Sequence, residues 1–283
     1  MVARTLTAES WSFQAFEVSV RFQCGDPELL QLVKANWGAL ATRVSRPDGL
    51  VYSISRGDSP HDILIARAGQ AAIVSAGNAE FIYALERDIV LELQQRRADY
   101  YFLHAAAAEK DGHACLLVAP SGQGKSTTAW ALLHHGWRYL SDELAPIDLA
   151  TLQVHAYPHA LCLKREPAAP YRLPRGTIST SHTLHVPTDC LPNTPQVNSC
   201  PLAAIFFLEY LPAAAEPVIR SITIGEASAR LYANALNQLA HPNAGLDAAV
   251  YLARNLPSFR LHTAGLSETC QLITSAHDRI TAR

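Results

Sequence analysis

The sequence lacks any CxxC pair or other close grouping of cysteines, although it contains six of these residues. They are spread over the whole chain at Cys24, Cys115, Cys162, Cys190, Cys200 and Cys270. A cysteine-based zinc motif or a disulfide framework would need tighter spacing. We therefore expect reduced, mostly buried thiols, as in a bacterial cytoplasmic protein.

An excess of positive charge is also missing, because 23 Lys and Arg face 25 Asp and Glu for a net charge of −2. A nucleic-acid surface would need a basic balance, so we expect no nucleic-acid partner. No apolar run is long enough to span a bilayer, and the N-terminus shows no secretory segment, so we expect no membrane association. With 49% hydrophobic and 17% charged residues, the 283-residue chain can fill a large core.

Residues 1–98 are expected to form a small N-terminal α+β domain that recognises a substrate or mediates association, with homo-oligomers as one possibility. The segments "FEVSVRF" and "LVYSISRG" alternate in the manner of strands. The segment "DPELLQLVKANW" predicts a helix with Asp26 as its cap and Pro27 in its first turn. "NAEFIYALERDIVLELQQRRAD" predicts a second, amphipathic helix.

Residues 99–283 are expected to form an α/β domain with a mixed sheet. "YFLHAAAAE" predicts one strand, "KDGH" a hairpin turn, and the fully apolar "ACLLVA" a central strand. The later segments "LAAIFFLEY" and "VIRSITIG" predict further strands, and three helices are expected after them. The proline-rich region 166–201 excludes a long element and is compatible with a lid, a substrate loop or a surface excursion.

The central strand leads into a glycine-rich turn that matches most of the phosphate-binding pattern G-x-x-x-x-G-K-[ST]. The matching residues are Ala119, Pro120, Ser121, Gly122, Gln123, Gly124, Lys125 and Ser126, and Thr127 follows them. Ala119 replaces the first glycine of the pattern, whereas the strand before and the helix after are those the pattern requires. Glycines let backbone amides approach phosphate oxygens, the lysine reaches the β- and γ-phosphates, and the serine can ligate Mg²⁺. We therefore predict that 120–127 bind ATP with Mg²⁺.

An acidic pair follows the next predicted strand, in "WRYLSDELAPID". If that strand lies beside the central strand and parallel to it, Asp142 and Glu143 stand at the same sheet edge as the turn. Carboxylates at that edge can hold Mg²⁺ or accept a proton from an attacking hydroxyl. We predict Ser126, Asp142 and Glu143 as metal ligands.

The stretch from "LHAAAAEKDG" through "APSGQGKSTTAW" to "SDELAPID" resembles the HPr kinase/phosphorylase family, and most of all its divergent HPr kinase-related branch, which includes the lasso-peptide kinases. The resemblance covers 101–164 well and 202–276 more weakly. It implies a P-loop kinase core of the HPr kinase and phosphoenolpyruvate carboxykinase type. It also implies that Asp142 is the general base, that His104 contacts the transferred phosphoryl group, and that Lys164 faces the phosphates.

Two departures from the family pattern concern the acceptor. Thr127 stands where the family has Glu, and its signature loop after the acidic pair is absent from the sequence. Both argue against HPr as the substrate and against phosphorylase activity. Arg220 and Arg230 are possible cations for the transition state, and the surface interpretation of each is favoured.

Together these features predict a kinase that transfers the γ-phosphate of ATP to a hydroxyl, with Lys125, Asp142 and His104 as catalytic residues. The resemblance implies Ser of a peptide or protein as the acceptor. A small-molecule hydroxyl kinase and a non-catalytic nucleotide-binding regulator stay open as alternatives. A carboxykinase-like enzyme rests on fold kinship alone and ranks last.

Overall fold

The computed structural model describes residues 9–44, 46, 48–59, 61–180, 182–211 and 216–282. These residues form a mixed α/β structure with six α-helices and three β-sheets. Within them, no helix has both the length and the apolar character needed to cross a bilayer.

The N-terminal part is a five-stranded sheet with two helices against it. Its elements are β1 (Glu9–Ala15), β2 (Val18–Cys24), α1 (Pro27–Trp37), β3 (Leu50–Arg56), β4 (Asp62–Arg67), β5 (Ile73–Ala76) and α2 (Asn78–Arg96). The strands follow one another in the sheet, and only β2 and β3 run parallel. Asp26 caps α1 as predicted, because its side chain accepts the amides of Glu28 and Leu29.

The core of this part extends past residue 98. Buried side chains of both helices and the sheet pack with Tyr100, Phe102, Leu144 and Tyr157. The Trp37 indole also donates a buried hydrogen bond of 2.9 Å to the Tyr157 hydroxyl. The N-terminal helices are thereby joined to the rest of the chain by a shared core.

The C-terminal part is a nine-stranded sheet with helices on both faces and a small third sheet. Its strands are β6 (Tyr101–Leu103), β7 (Ala105–Lys110), β8 (His113–Val118), β9 (Arg138–Ser141), β10 (Ala145–Asp148), β11 (Gln153–Val154), β12 (Leu161–Leu163), β13 (Ile178–Ser179), β14 (Leu184–Val186), β15 (Cys200–Tyr210), β16 (Val218–Ser221) and β17 (Ser258–Thr263). Its α-helices are α3 (Lys125–Leu133), α4 (Ile224–Ala233), α5 (Leu246–Asn255) and α6 (Leu266–Thr281). Short 3-10 turns in the described chain are Gly38–Leu40, Thr188–Cys190, Gln238–Ala240 and Pro242–Gly245.

Strand β8 lies in the middle of the large sheet, as its apolar sequence predicts. Cys115 and Leu117 pack on the face covered by α3 and α6. Leu116 and Val118 pack on the opposite face with α4 and α5. Burial on both faces explains why this strand shows no polar alternation.

The expected position of the strand before the acidic pair is wrong. β9 does not lie next to β8, because β7 pairs with β8 on one side and with β9 on the other, antiparallel in both cases. The tight turn at Asp111 and Gly112 folds β7 and β8 together. Strand β7 therefore occupies the position beside β8 that was expected for β9. Since two reversals restore the direction, β8 and β9 still end at the same edge of the sheet.

One other expectation needs correction. "YFLHAAAAE" is not one strand, since it breaks at His104 between β6, which pairs with β10, and β7. The region 166–201 has no long element among its described residues, as predicted, and its short β14 pairs with both β12 and β13 in a three-stranded sheet. The six cysteines are free and four of them are buried, which confirms that part of the sequence prediction.

Candidate active site

The turn between β8 and α3 has the backbone conformation that its glycines predict. Gly122 has φ +89° and Gly124 has φ +90°. A residue with a side chain adopts such positive φ values only at a cost in free energy. A Cβ on Gly122 would meet nothing within 4 Å, so the turn is open on that side. The conformation leaves room for a ligand to approach the main chain.

The helix α3 begins with unpaired amides. Gly124 is its cap residue and has no side-chain hydrogen bond to the helix, and the first backbone bond goes from the Thr128 amide to the Gly124 carbonyl at 2.8 Å. No described residue accepts a hydrogen bond from the amides of 124–127. Such a row of donors at the positive end of a helix is a site for an anion, above all phosphate.

Lys125 is turned inward across this open end. It is 6% exposed, and its Nζ donates to the Ala119 carbonyl at 2.7 Å and to His104 Nε2 at 2.9 Å. His104 in turn places Nδ1 3.3 Å from the Glu143 carbonyl oxygen. Because Nε2 accepts from an ammonium, the imidazole proton belongs on Nδ1, where it faces that carbonyl.

Burial sets the ionisation of this pair. It lowers the pKa of His104, and the charge of Lys125 lowers it further. Burial also lowers the pKa of Lys125, although the carboxylates of Glu143 and Asp142 act against that shift. His104 is therefore neutral at pH 7, which fits its role as an acceptor for the lysine.

Asp142 lies at the floor of the site and is 0% exposed. Its Oδ1 accepts from the Tyr139 hydroxyl at 2.8 Å, and its Oδ2 accepts from the Cys162 amide at 2.8 Å. His159 Nε2 also lies near this carboxylate, 3.2 Å from Oδ1. Each carboxylate oxygen therefore already has a protein donor.

Glu143, in contrast, is exposed and lines the same cleft as Lys125. Its charge acts on both Lys125 and His104. Its side chain forms no hydrogen bond or ion pair with the described residues. Of the two carboxylates of the acidic pair, Glu143 is thus the one that is open to the cleft.

The cleft has a volume of about 360 Å³ and unites most of the predicted site residues. Its lining includes His104, Ser121, Gly122, Gly124, Lys125, Ser126, Thr127, Asp142, Glu143 and Lys164. Lys164 Nζ donates to Ser121 Oγ at 2.8 Å, so this lysine lies across the turn. Ser126 has a hydroxyl without a hydrogen bond to any described residue and so is available as a metal ligand.

Four of the predicted or considered residues do not line the cleft. Pro120 and Gln123 are in the turn but do not line the cleft, and the Gln123 side chain accepts the Tyr210 amide at 2.9 Å. Arg230 is held by Glu209 and Glu226. Arg220 is exposed on β16, and neither arginine lines the cleft.

The sequence prediction missed a group of titratable residues under the cleft floor. Burial raises the pKa of Glu86 to about 7. Burial would lower the pKa of His159, but the carboxylates of Glu86, Asp142 and Glu143 together raise it. Cys162 completes the group and lines the cleft. These residues come from distant parts of the chain, and no spacing in the sequence connects them.

The chain has a distant structural likeness to known proteins but no match in sequence. No family model matches the chain, and no curated protein matches it in sequence. Among solved structures, the Hpr(Ser) kinase/phosphatase from Coxiella burnetii is similar at 12% identity and a TM-score of 0.32. The match covers 63% of this chain and 95% of that chain. Membership in the family named from the sequence stays a prediction.

The Gly124→Ala substitution is expected to lower the free energy of unfolding by about 1–2 kcal/mol, because alanine is strained at positive φ. The new Cβ would come no closer than 3.9 Å to the Thr128 hydroxyl, so backbone strain rather than collision is the cause. Urea unfolding measures the change. Gly225→Ala is the matched control, since Gly225 lies in α4 with open space around its Cβ position and is expected to gain up to about 1 kcal/mol. Equal effects of the two variants would contradict the assigned turn conformation.

Proposed function

We propose that this protein is an ATP-dependent phosphotransferase that transfers a phosphoryl group to the hydroxyl of a serine in a peptide or protein. The observation that supports it most is the row of unpaired amides at 124–127, which opens onto a cleft with Lys125, Lys164 and an exposed carboxylate. Amides and lysines suit a polyphosphate, and the carboxylate suits a hydroxyl acceptor.

The turn and its lysines bind and orient the nucleotide in this proposal. The amides of 124–127 donate hydrogen bonds to phosphate oxygens, and Lys125 exchanges its contact with the Ala119 carbonyl for phosphate oxygens. Lys164, which reaches Ser121 across the turn, adds a second positive charge. Positioning and charge of this kind provide most of the catalysis in phosphoryl transfer.

Ser126 is the residue that would hold Mg²⁺, since its hydroxyl lines the cleft and is not engaged by a described residue. A bound Mg²⁺ supplies charge neutralisation for the phosphate oxygens and commonly keeps several waters as its other ligands.

The roles of the acidic pair differ in this proposal from the sequence expectation. Glu143 takes the proton of the acceptor hydroxyl, because it is the exposed carboxylate of the pair. Asp142 acts as a positioning residue, because Tyr139 and Cys162 already occupy its two oxygens. The neutral His104 holds both Lys125 and the Glu143 backbone in place.

The test is incubation of the purified chain with γ-labelled ATP and Mg²⁺ in an extract separated into peptides and small metabolites. We expect label in the peptide fraction as alkali-labile phosphoserine. Label confined to small metabolites would keep the phosphotransferase and overturn the peptide acceptor. ATP binding without hydrolysis or transfer in any fraction would overturn the enzyme and favour a nucleotide-binding regulator.

A further inference from the structure

Three side chains with different metal-binding atoms converge beneath the cleft floor. Glu86 comes from α2, His159 from the segment after β11, and Cys162 from β12. One ligand atom of each lies within 4.8 Å of those of the other two. In the described part of the chain this is the one such group of His, Cys, Asp or Glu residues.

The His159 ring is oriented as a metal ligand would be. It is 1% exposed, and its Nδ1 has no hydrogen-bond partner among the described residues although it lies 3.2 Å from Glu86 Oε1. Its Nε2 lies 3.2 Å from Asp142 Oδ1. Metal-bound histidines use one nitrogen for the ion and present the other N–H to a carboxylate. The buried nitrogen without a partner is thus the one that faces the Glu86 carboxylate.

The set of donor atoms indicates the kind of ion. A thiolate, an imidazole and a carboxylate together suit zinc, whereas Mg²⁺ prefers oxygen ligands alone. Zinc lies about 2.0–2.3 Å from such atoms, which holds them roughly 3.3–3.8 Å apart in a tetrahedron. The separations here, at 4.8 Å or less, reach that range by small side-chain movements.

We propose that Glu86, His159 and Cys162 bind a structural zinc ion that ties α2 of the N-terminal part to β12 of the C-terminal part. Asp142 orients His159 from the opposite side. The ion reaches the site from the cleft, since Cys162 lines it. This site is separate from the Ser126 hydroxyl and does not depend on the proposed phosphotransferase activity.

His185 lies beside Cys162 but outside the group of three ligand atoms. Its Nδ1 lies 3.2 Å from Cys162 Sγ, and its Nε2 lies 2.8 Å from the Thr183 hydroxyl. Both ring nitrogens of His185 thus have partners within the protein, unlike Nδ1 of His159.

The test is a titration of the chelator-treated full chain with Co²⁺ in the absence of nucleotide and Mg²⁺. We expect a thiolate-to-cobalt absorption band that saturates at one ion per chain and disappears when Zn²⁺ is added. Zn²⁺ should also raise the melting temperature and protect Cys162 from a thiol reagent in the unmodified sequence, as mapped by mass spectrometry.

Variants identify the ligands. Cys162→Ser should abolish the band, whereas Cys190→Ser, a half-buried cysteine outside the group, should keep it. His159→Gln and Glu86→Gln should each weaken Co²⁺ binding at least about tenfold, in line with loss of a ligand.

Three results would overturn the assignment. They are the lack of a band in the wild type, a band that survives Cys162→Ser, and unchanged Co²⁺ affinity in both His159→Gln and Glu86→Gln. If Cys162→Ser does not fold, the protection measurement on the unmodified sequence decides, and equal labelling of Cys162 with and without Zn²⁺ counts against the site.

Discussion

Replacing Lys125 by methionine will lower the rate of phosphoryl transfer from ATP by about 10²–10³-fold, or roughly 3–4 kcal/mol of barrier. The substitution keeps the length of the side chain but removes the charge that reaches both the Ala119 carbonyl and His104. Methionine also leaves the cleft filled, so the change in the barrier is expected to exceed the change in folding stability. Steady-state turnover of labelled ATP measures the effect.

Lys110→Met is the matched control for that variant. Lys110 pairs with Asp111 and Asp278 at the hairpin end of β7, whereas Lys125 lies at the opposite end of the β7–β8 pair. The control should turn over ATP at the wild-type rate. Full activity of Lys125→Met would show that the turn does not carry the reaction.

Replacing Glu143 by glutamine will lower the transfer rate by about 10²–10⁴-fold while leaving the melting temperature near that of the wild type. The loss is expected because, in the proposed mechanism, the exposed carboxylate accepts the proton of the hydroxyl. Stability is spared because the Glu143 side chain has no hydrogen bond to a described residue. Turnover and a melting curve on the same preparation measure both effects.

Asp142→Asn is the companion variant and should show the reverse pattern. With its oxygen kept for the Cys162 amide, the asparagine NH2 replaces the oxygen that faces both the Tyr139 hydroxyl and His159 Nε2, so the hydroxyl must turn to accept and the buried His159 ring loses its carboxylate partner. Such a loss costs about 1–3 kcal/mol of folding free energy. Below its melting temperature the variant should keep a larger share of the activity than Glu143→Gln. A greater loss of rate in Asp142→Asn than in Glu143→Gln, with an unchanged melting temperature, would indicate that Asp142 accepts the proton of the hydroxyl.

The local part of the site could be predicted from the sequence because its causes are local. A buried strand, glycines at the turn and a helix after them determine where Lys125 and Ser126 stand. The hairpin at Asp111 and Gly112 was equally clear, and it already implied that β7 would occupy the edge next to β8. The position of β9 therefore depends on the hairpin and the strand-helix-strand unit together, since β7 separates β9 from β8.

The deeper part of the site could not be predicted because it depends on contacts between distant segments. Burial of Asp142 follows from donors on β9 and β12, and only the folded chain shows which carboxylate of the pair is exposed. In the sequence alone, Glu86 is one of several polar positions of an amphipathic helix. It meets His159 and Cys162 only because α2 packs against the C-terminal part of the chain.

The most direct test of the account follows backbone amide chemical shifts of the full chain on addition of a non-hydrolysable ATP analogue with Mg²⁺. The account predicts that the largest changes occur at the amides of Gly124, Lys125, Ser126 and Thr127, with smaller ones at His104 and Glu143. Changes concentrated in another part of the protein, or none at millimolar analogue, would contradict the claim that this turn binds the phosphates.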